Sequence, residues 1–246
     1  MPIRVARRAP GLPALAAVAA LALVGCSPPP VKPAPGPAPA STPPVAPKAP
    51  PSRPLTAEEL VAAALPGEAG ADTYGNPVSV RKRRAGDRNS EPSDPACAQM
   101  LTAAHARQPS QPAPAVVEQT FNWKNDGNGG NSTLASYGNS GAVAAFAQVR
   151  EGLNTCRYYE APAPEPITTY KGTVTVSPAP QLGDEAVRFE ITAPTEMGPH
   201  VTQYTVVRTG SVVATFTKLS VGDRDVRDFP PALISQQTSL LQQAQS

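Results

Sequence analysis

Two histidines, His105 and His200, make up the whole imidazole complement of the 246-residue chain, so a hydrolytic relay that needs a nitrogen base must use one of them. His105 falls near the end of a predicted helix, where a positive imidazole is favourable beside the last carbonyls, and His200 falls in a turn after Pro199. Gly138-Asn139-Ser140-Gly141 has the outline of a serine nucleophile's surroundings, but an elbow needs a glycine two residues to each side and Ala142 stands at the second place. Ser140 reads better as the cap of the helix that follows. Asp126-Gly127-Asn128-Gly129-Gly130 alternates oxygen-bearing residues as calcium loops do, yet Tyr137 stands where the closing bidentate glutamate belongs. Asp184 and Glu185 are adjacent, and adjacent strand residues point to opposite faces, which argues against a carboxylate dyad. Asp223, Asp225 and Asp228 read as a polar loop before Pro230-Pro231. No phosphate-cradling loop and no kinase signature set occurs. The residues therefore predict no catalytic set, no metal site and no cofactor.

The cysteines say more. Arg4, Arg7 and Arg8 precede an apolar run from Leu12 to Val24, too short to span a membrane, and Leu23-Val24-Gly25-Cys26 matches a bacterial lipobox. This predicts a lipoprotein signal peptide over residues 1–25 and a diacylglyceryl anchor on Cys26, holding the chain on the extracytoplasmic face of the plasma membrane, within the cell wall; an ordinary secretory signal is the alternative. Residues 26–54 are almost wholly Pro, Ala, Ser, Thr and Val, a composition that builds no core and favours an extended, disordered tether. At about 3.1 Å per residue such a tether reaches up to roughly 80 Å. With Cys26 lipidated, Cys97 and Cys156 remain as a pair in an oxidising compartment, and a disulfide is the economical reading. A reactive thiol or a metal site lacks a histidine or third cysteine at ligand spacing.

The chain carries 21 basic and 19 acidic residues, a balance that gives no electrostatic case for nucleic acid. Arg81-Lys82-Arg83-Arg84 is the local exception, read as a solvated strand end or loop, with a contact to anionic wall polymer or lipid headgroups as the alternative.

These residues must be positioned by the stretch from Leu55 to Ser246, long enough for one domain with a core. Alternating apolar residues predict strands at Glu185–Thr192, Val201–Arg208 and Val212–Leu219, the last two joined through Thr209-Gly210, with one face buried and one wet. Further strands are predicted at Val116–Trp123, Thr133–Tyr137 and Thr173–Val176. Helical spacing of Ala142, Phe146, Val149 and Leu153 predicts a helix there, and others are predicted at Thr56–Ala64, Pro95–Ala106 and Pro231–Gln242, the last turning Leu233, Gln237, Leu240 and Leu241 to the sheet. Grouped strands with helices set apart predict an α+β fold, an antiparallel sheet with helices packed on it and one disulfide. Trp123, the single tryptophan, is expected in core or rim packing.

The helix Ala142–Leu153 running into Cys156, then Leu182-Gly183-Asp184-Glu185-Ala186-Val187, then Val206-Val207-Arg208-Thr209-Gly210-Ser211-Val212-Val213, resembles actinobacterial sensor-domain lipoproteins. These are similar to the extracellular sensor domain of PknH-type serine/threonine kinases. Leu55-Thr56-Ala57-Glu58-Glu59-Leu60 and Cys97 fit the same pattern, which runs from Leu55 to the C-terminus. The pattern departs from those kinases in having one cysteine pair here and Leu153 in the slot before the second cysteine. The resemblance implies an antiparallel sheet with helices packed against it, a cleft for an extracellular ligand, and no catalytic residues. The leading expectation is a non-catalytic binding or sensor-like module for a small envelope-derived molecule, in a cleft with apolar lining and a few polar groups. A protein that docks a membrane or envelope partner is the second reading, and a wall-associated hydrolase the third. No residue is singled out for the ligand.

Overall fold

A computed structural model describes residues 53–68, 73–81, 92–108, 110–124, 126–162, 169–196, 198–222 and 228–246. The signal peptide, Cys26, the tether as far as Ser52, Lys82–Arg84, Asp223 and Asp225 lie outside the described residues. The elements follow in the order α1 (Ala57–Ala62), β1 (Thr73–Gly75), β2 (Ser79–Val80), α2 (Pro95–Ala104), β3 (Ala115–Trp123), β4 (Gly130–Ser136), α3 (Gly141–Thr155), β5 (Tyr158–Pro162), β6 (Thr169–Ser177), β7 (Glu185–Thr195), β8 (Gly198–Thr209), β9 (Val212–Val221) and α4 (Pro231–Ala244). The strands pair antiparallel in one sheet, ordered β1-β3-β4-β9-β8-β7-β6-β5, with β2 also on β3. The α+β expectation holds.

Strand alternation divides this sheet into two faces, and both are covered at its centre. Val116, Ala135, Val206 and Val213 face α2 and α3 and join Met100, Phe146, Val149, Phe189 and Ile191 in one core. Their neighbours Val117, Leu134, Val207, Val212 and Ala214 face the other way, where Leu60 of α1 and Leu233, Ile234 and Leu241 of α4 cover them. The expectation of one wet face is therefore corrected for β4, β8 and β9: Val212 to Phe216 are all buried in sequence. Ser136 and Thr215 are buried and bond to other segments: Leu55 N, ahead of α1, donates to Ser136 Oγ at 2.7 Å, and Thr215 Oγ1 donates to the Ala104 carbonyl of α2 at 2.6 Å.

The helices are held by caps, turns and cross-links. Thr56 and Glu59 form a reciprocal capping box at α1. Asp94 Oδ1 accepts from Ala96 N at 2.7 Å and Cys97 N at 3.1 Å at the start of α2. Ser140 stands at the N-cap of α3 but its side chain makes no capping bond; the entry is a backbone turn, Gly141 N to Gly138 O at 3.0 Å, with Asn139 at φ +52°. Gln237 of α4, fully buried, donates to the Ala63 carbonyl at 2.6 Å and accepts from Leu65 N at 3.0 Å, tying α4 to the end of α1.

The disulfide joins Cys97 on α2 to Cys156 at the end of α3, with Cα atoms 5.0 Å apart. The two helices also meet at Gly152, where an added Cβ would stand 2.6 Å from Met100 Cβ and 2.9 Å from the Ala96 carbonyl oxygen. Among the described residues no helix is long and apolar enough to cross a membrane.

Candidate functional site: a polar cleft at the end of the second helix

On the face covered by α2 and α3, α2 ends before the sheet does. Beyond its last turn β3, β4 and β9 lie bare, and the space is a cleft of about 460 Å³. Its floor is dictated by register. Thr120, Asn131 and Thr217 are successive cross-strand partners, and Glu118 and Thr133 form the next row. Alternation places both rows on one face, so β-strand periodicity alone builds a floor of hydroxyls, an amide and a carboxylate. Thr120 Oγ1 donates to Asn131 Oδ1 at 2.9 Å. Ser79 and Asn76 line the β2 side, and His105 and Arg107 the helix side.

The end of α2 is held by Arg81. Its guanidinium donates through Nη1 to the carbonyls of His105 at 2.6 Å and Ala106 at 3.4 Å, and through Nη2 to the Glu118 carboxylate. A cation at the carbonyl end of a helix is where the macrodipole favours it. The sequence placed that charge on His105; the structure gives it to Arg81, the first residue of the basic run, with its side chain 17% exposed. Burial pushes the His105 imidazole down to about 4, and the charges of Arg107 and Arg81 push the same way against Glu118. The ring is thus neutral at pH 7 and sits edge-on to Tyr204, centroids 5.8 Å apart. Burial alone raises the Glu118 carboxyl, but the hydrogen bond and charge of Arg81, with Arg107 and His105, hold it below the usual carboxylate range. Ala106 adopts φ +52°, a left-handed conformation that costs a residue with a Cβ about 1–2 kcal/mol and persists where neighbours over-determine it.

His105 therefore shares a cleft with an acid and several hydroxyls. The Glu118 carboxylate, however, is committed to Arg81, and among the described residues the imidazole makes no hydrogen bond to acid or hydroxyl. A base titrating near 4 also abstracts protons poorly at neutral pH.

The other residues of interest lie elsewhere. His200 is in β8 rather than a turn, and its Nδ1 lies 2.8 Å from the Tyr170 hydroxyl. Asp184 precedes β7, so strand alternation does not separate it from Glu185: both meet Arg208, at 2.7 Å each, as an ion-pair cluster. Asp126 pairs at 2.9 Å with Lys218, both side chains fully buried, which accounts for its carboxylate without calcium. Among the described residues no group of three or more His, Cys, Asp or Glu side chains is placed to hold a metal. Trp123 packs against Phe229 and Phe121, with Lys218 Nζ 5.6 Å from its ring centroid, as core and rim packing predicted. Sequence reading missed the cleft floor. Its only signal was polar residues two apart on three strands, Glu118 with Thr120, Asn131 with Thr133 and Thr215 with Thr217, and only the register aligns them.

No family model and no curated protein matches the sequence. Among solved structures, the extracellular domain of PknH from Mycobacterium tuberculosis superposes with a TM-score of 0.55 at 13% identity, over 78% of this chain and 98% of that one. The chain shares the fold of the PknH extracellular domain. An uncharacterised protein from Mycobacterium smegmatis (TM-score 0.35, 13% identity, 71% of this chain and 88% of that one) and a STAR-related lipid transfer protein fragment from Xanthomonas axonopodis (0.29, 12%, 52% and 86%) match more distantly. The PknH likeness agrees with the sequence resemblance, and at this identity it concerns fold.

Proposed function

We propose that this chain is a lipid-anchored extracytoplasmic protein whose α+β domain binds a small polar molecule from the cell envelope in the cleft beside His105, without transforming it. The observation that carries the reading is the cleft floor, where Thr120, Asn131 and Thr217 form a continuous polar row left bare by the short α2. A volume of about 460 Å³ is within the range of small-molecule sites. The expected apolar lining gives way to hydroxyls and an amide, which suit a ligand rich in hydroxyl or amide groups. Neutral His105 and paired Glu118 suit binding better than proton transfer. The address rests on the Cys26 lipobox, on a disulfide that persists in an oxidising compartment, and on a fold shared with a domain that is itself extracellular.

Hydrogen exchange on the full chain, with and without fractionated envelope extract, tests the reading. Binding predicts added protection at β3, β4 and β9 around Thr120, Asn131 and Thr217. Protection confined to an outer surface, with the cleft unchanged, would favour protein docking instead.

A further inference from the structure

A second cleft, of about 270 Å³, opens on the opposite face of the sheet, between α4 and the turn after β6. Its walls are mostly apolar, Pro178, Pro180 and Leu182 on one side and Phe229 and Ile234 on the other, with Gln181 and Ser235 among them. Its floor is polar and belongs to the strands. Arg188 and Thr205 are cross-strand partners, and Gln203 lies two residues from Thr205 on the same face. Gln203 is 4% exposed and Thr205 2%, so these groups are built into the sheet. Among the described residues the Thr205 hydroxyl makes no hydrogen bond. The Gln203 side chain is oriented: its Oε1 accepts from Phe229 N at 3.3 Å, which turns its Nε2 donors toward the cleft. There Gln203 Nε2 and Arg188 Nη2, the latter at 2.6 Å, converge on one oxygen of Asp228. Both donors are less exposed than the carboxylate they hold: the Arg188 side chain is 29% exposed and that of Asp228 47%.

We propose that this cleft binds a small monocarboxylate with a short apolar body, whose carboxylate displaces Asp228 from Arg188 and Gln203 while its body lies between Pro180, Leu182, Phe229 and Ile234. The two converging donors fit a planar carboxylate, with Arg188 supplying the charge-assisted bond. Asp228 remains close by, and its charge disfavours a dianion such as a phosphate monoester at a site with one guanidinium. At the roughly 30 Å³ that a water occupies, the volume holds about nine water-sized groups, room for a six-carbon fatty acid. The site is on the other side of the sheet from the polar cleft and stands or falls independently of it.

The test is a titration of the isotope-labelled full chain with hexanoate, followed by the Gln203 side-chain amide and the amides of Thr205 and Ile234, with 1-hexanol and acetate as controls. Saturable shifts are expected with hexanoate and neither control. Arg188→Gln should weaken binding about tenfold or more, the loss of a charge-assisted bond, and Arg188→Lys should keep the fold yet recover only part of it. Asp228→Asn, which removes the internal competitor, should tighten binding. Equal binding of 1-hexanol would mean an apolar pocket only and overturn the proposal, as would no saturation with hexanoate, or weaker binding in Asp228→Asn.

Discussion

Single residues at the polar cleft carry opposing preferences that the surroundings settle. His105 titrates near 4 in the fold against 6.5 when free, so below pH 6.5 the unfolded chain takes up a proton that the folded chain refuses. Stability contributed by the neutral ring is complete above pH 6.5 and is lost as pH falls toward 4, by up to about 3 kcal/mol at 1.36 kcal/mol per unit. His105→Gln should therefore flatten the fall in melting temperature between pH 6.5 and 4; an unchanged profile would refute the assignment. Ala106 stores strain next door, held by Arg81. Ala106→Gly should stabilise the chain by roughly 1 kcal/mol in urea, since glycine is at ease where φ is +52°. Lys218 and Asp126 are a buried pair, and removing one partner strands a charge. Asp126→Ala should cost about 3–5 kcal/mol, and replacing Lys218 by Met in the same chain should restore most of it. Neither His105's neutrality nor this pair was legible beforehand. Both depend on what the sheet brings near: Arg81, just after β2, and Lys218 of β9 are far from their partners in sequence.

At the scale of elements, the sequence was informative where periodicity is strong. The meander β7–β8–β9 and helices α2, α3 and α4 are where the alternation and the helical spacing predicted them, because each buries a regular face. β1, β2 and β5 were not predicted: they are short edge strands without an alternating pattern, and β5 ends at Pro162. The second covered face was also missed, since Thr215 and Ser136 are buried by bonding to other segments, which one-dimensional alternation reads as solvent exposure. The capping box of Thr56 and Glu59 at α1 is seen in the structure and was not read from the sequence. The α2–α3 layer depends on two local features. Cys156→Ser opens a link across 59 residues of sequence, which chain entropy puts at about 4 kcal/mol, so calorimetry should show a melt lower by about 10 °C. Gly152→Ala forces a methyl into the Met100 contact and should cost about 1–3 kcal/mol with the disulfide intact.

For the whole molecule, the address and the binding reading make separate demands. Cys26→Ser should move the protein from the membrane fraction to the soluble extracytoplasmic fraction while leaving the domain's melt unchanged. The candidate site was less legible than the fold, because Thr120, Asn131 and Thr217 are ordinary strand residues until the register aligns them and the early end of α2 exposes them. If this polar row receives the ligand, the melting temperature of the full chain with fractionated envelope components, measured beside the variant Asn131→Ala, Thr217→Val, reports it. A ligand at a hundred times its dissociation constant adds about 2.7 kcal/mol, which should raise the melt by roughly 5–10 °C. At least one fraction should give this rise in the native chain, and the variant, melting alike on its own, should lose it. A flat response to every fraction, or a rise that survives in the variant, would contradict binding at the row.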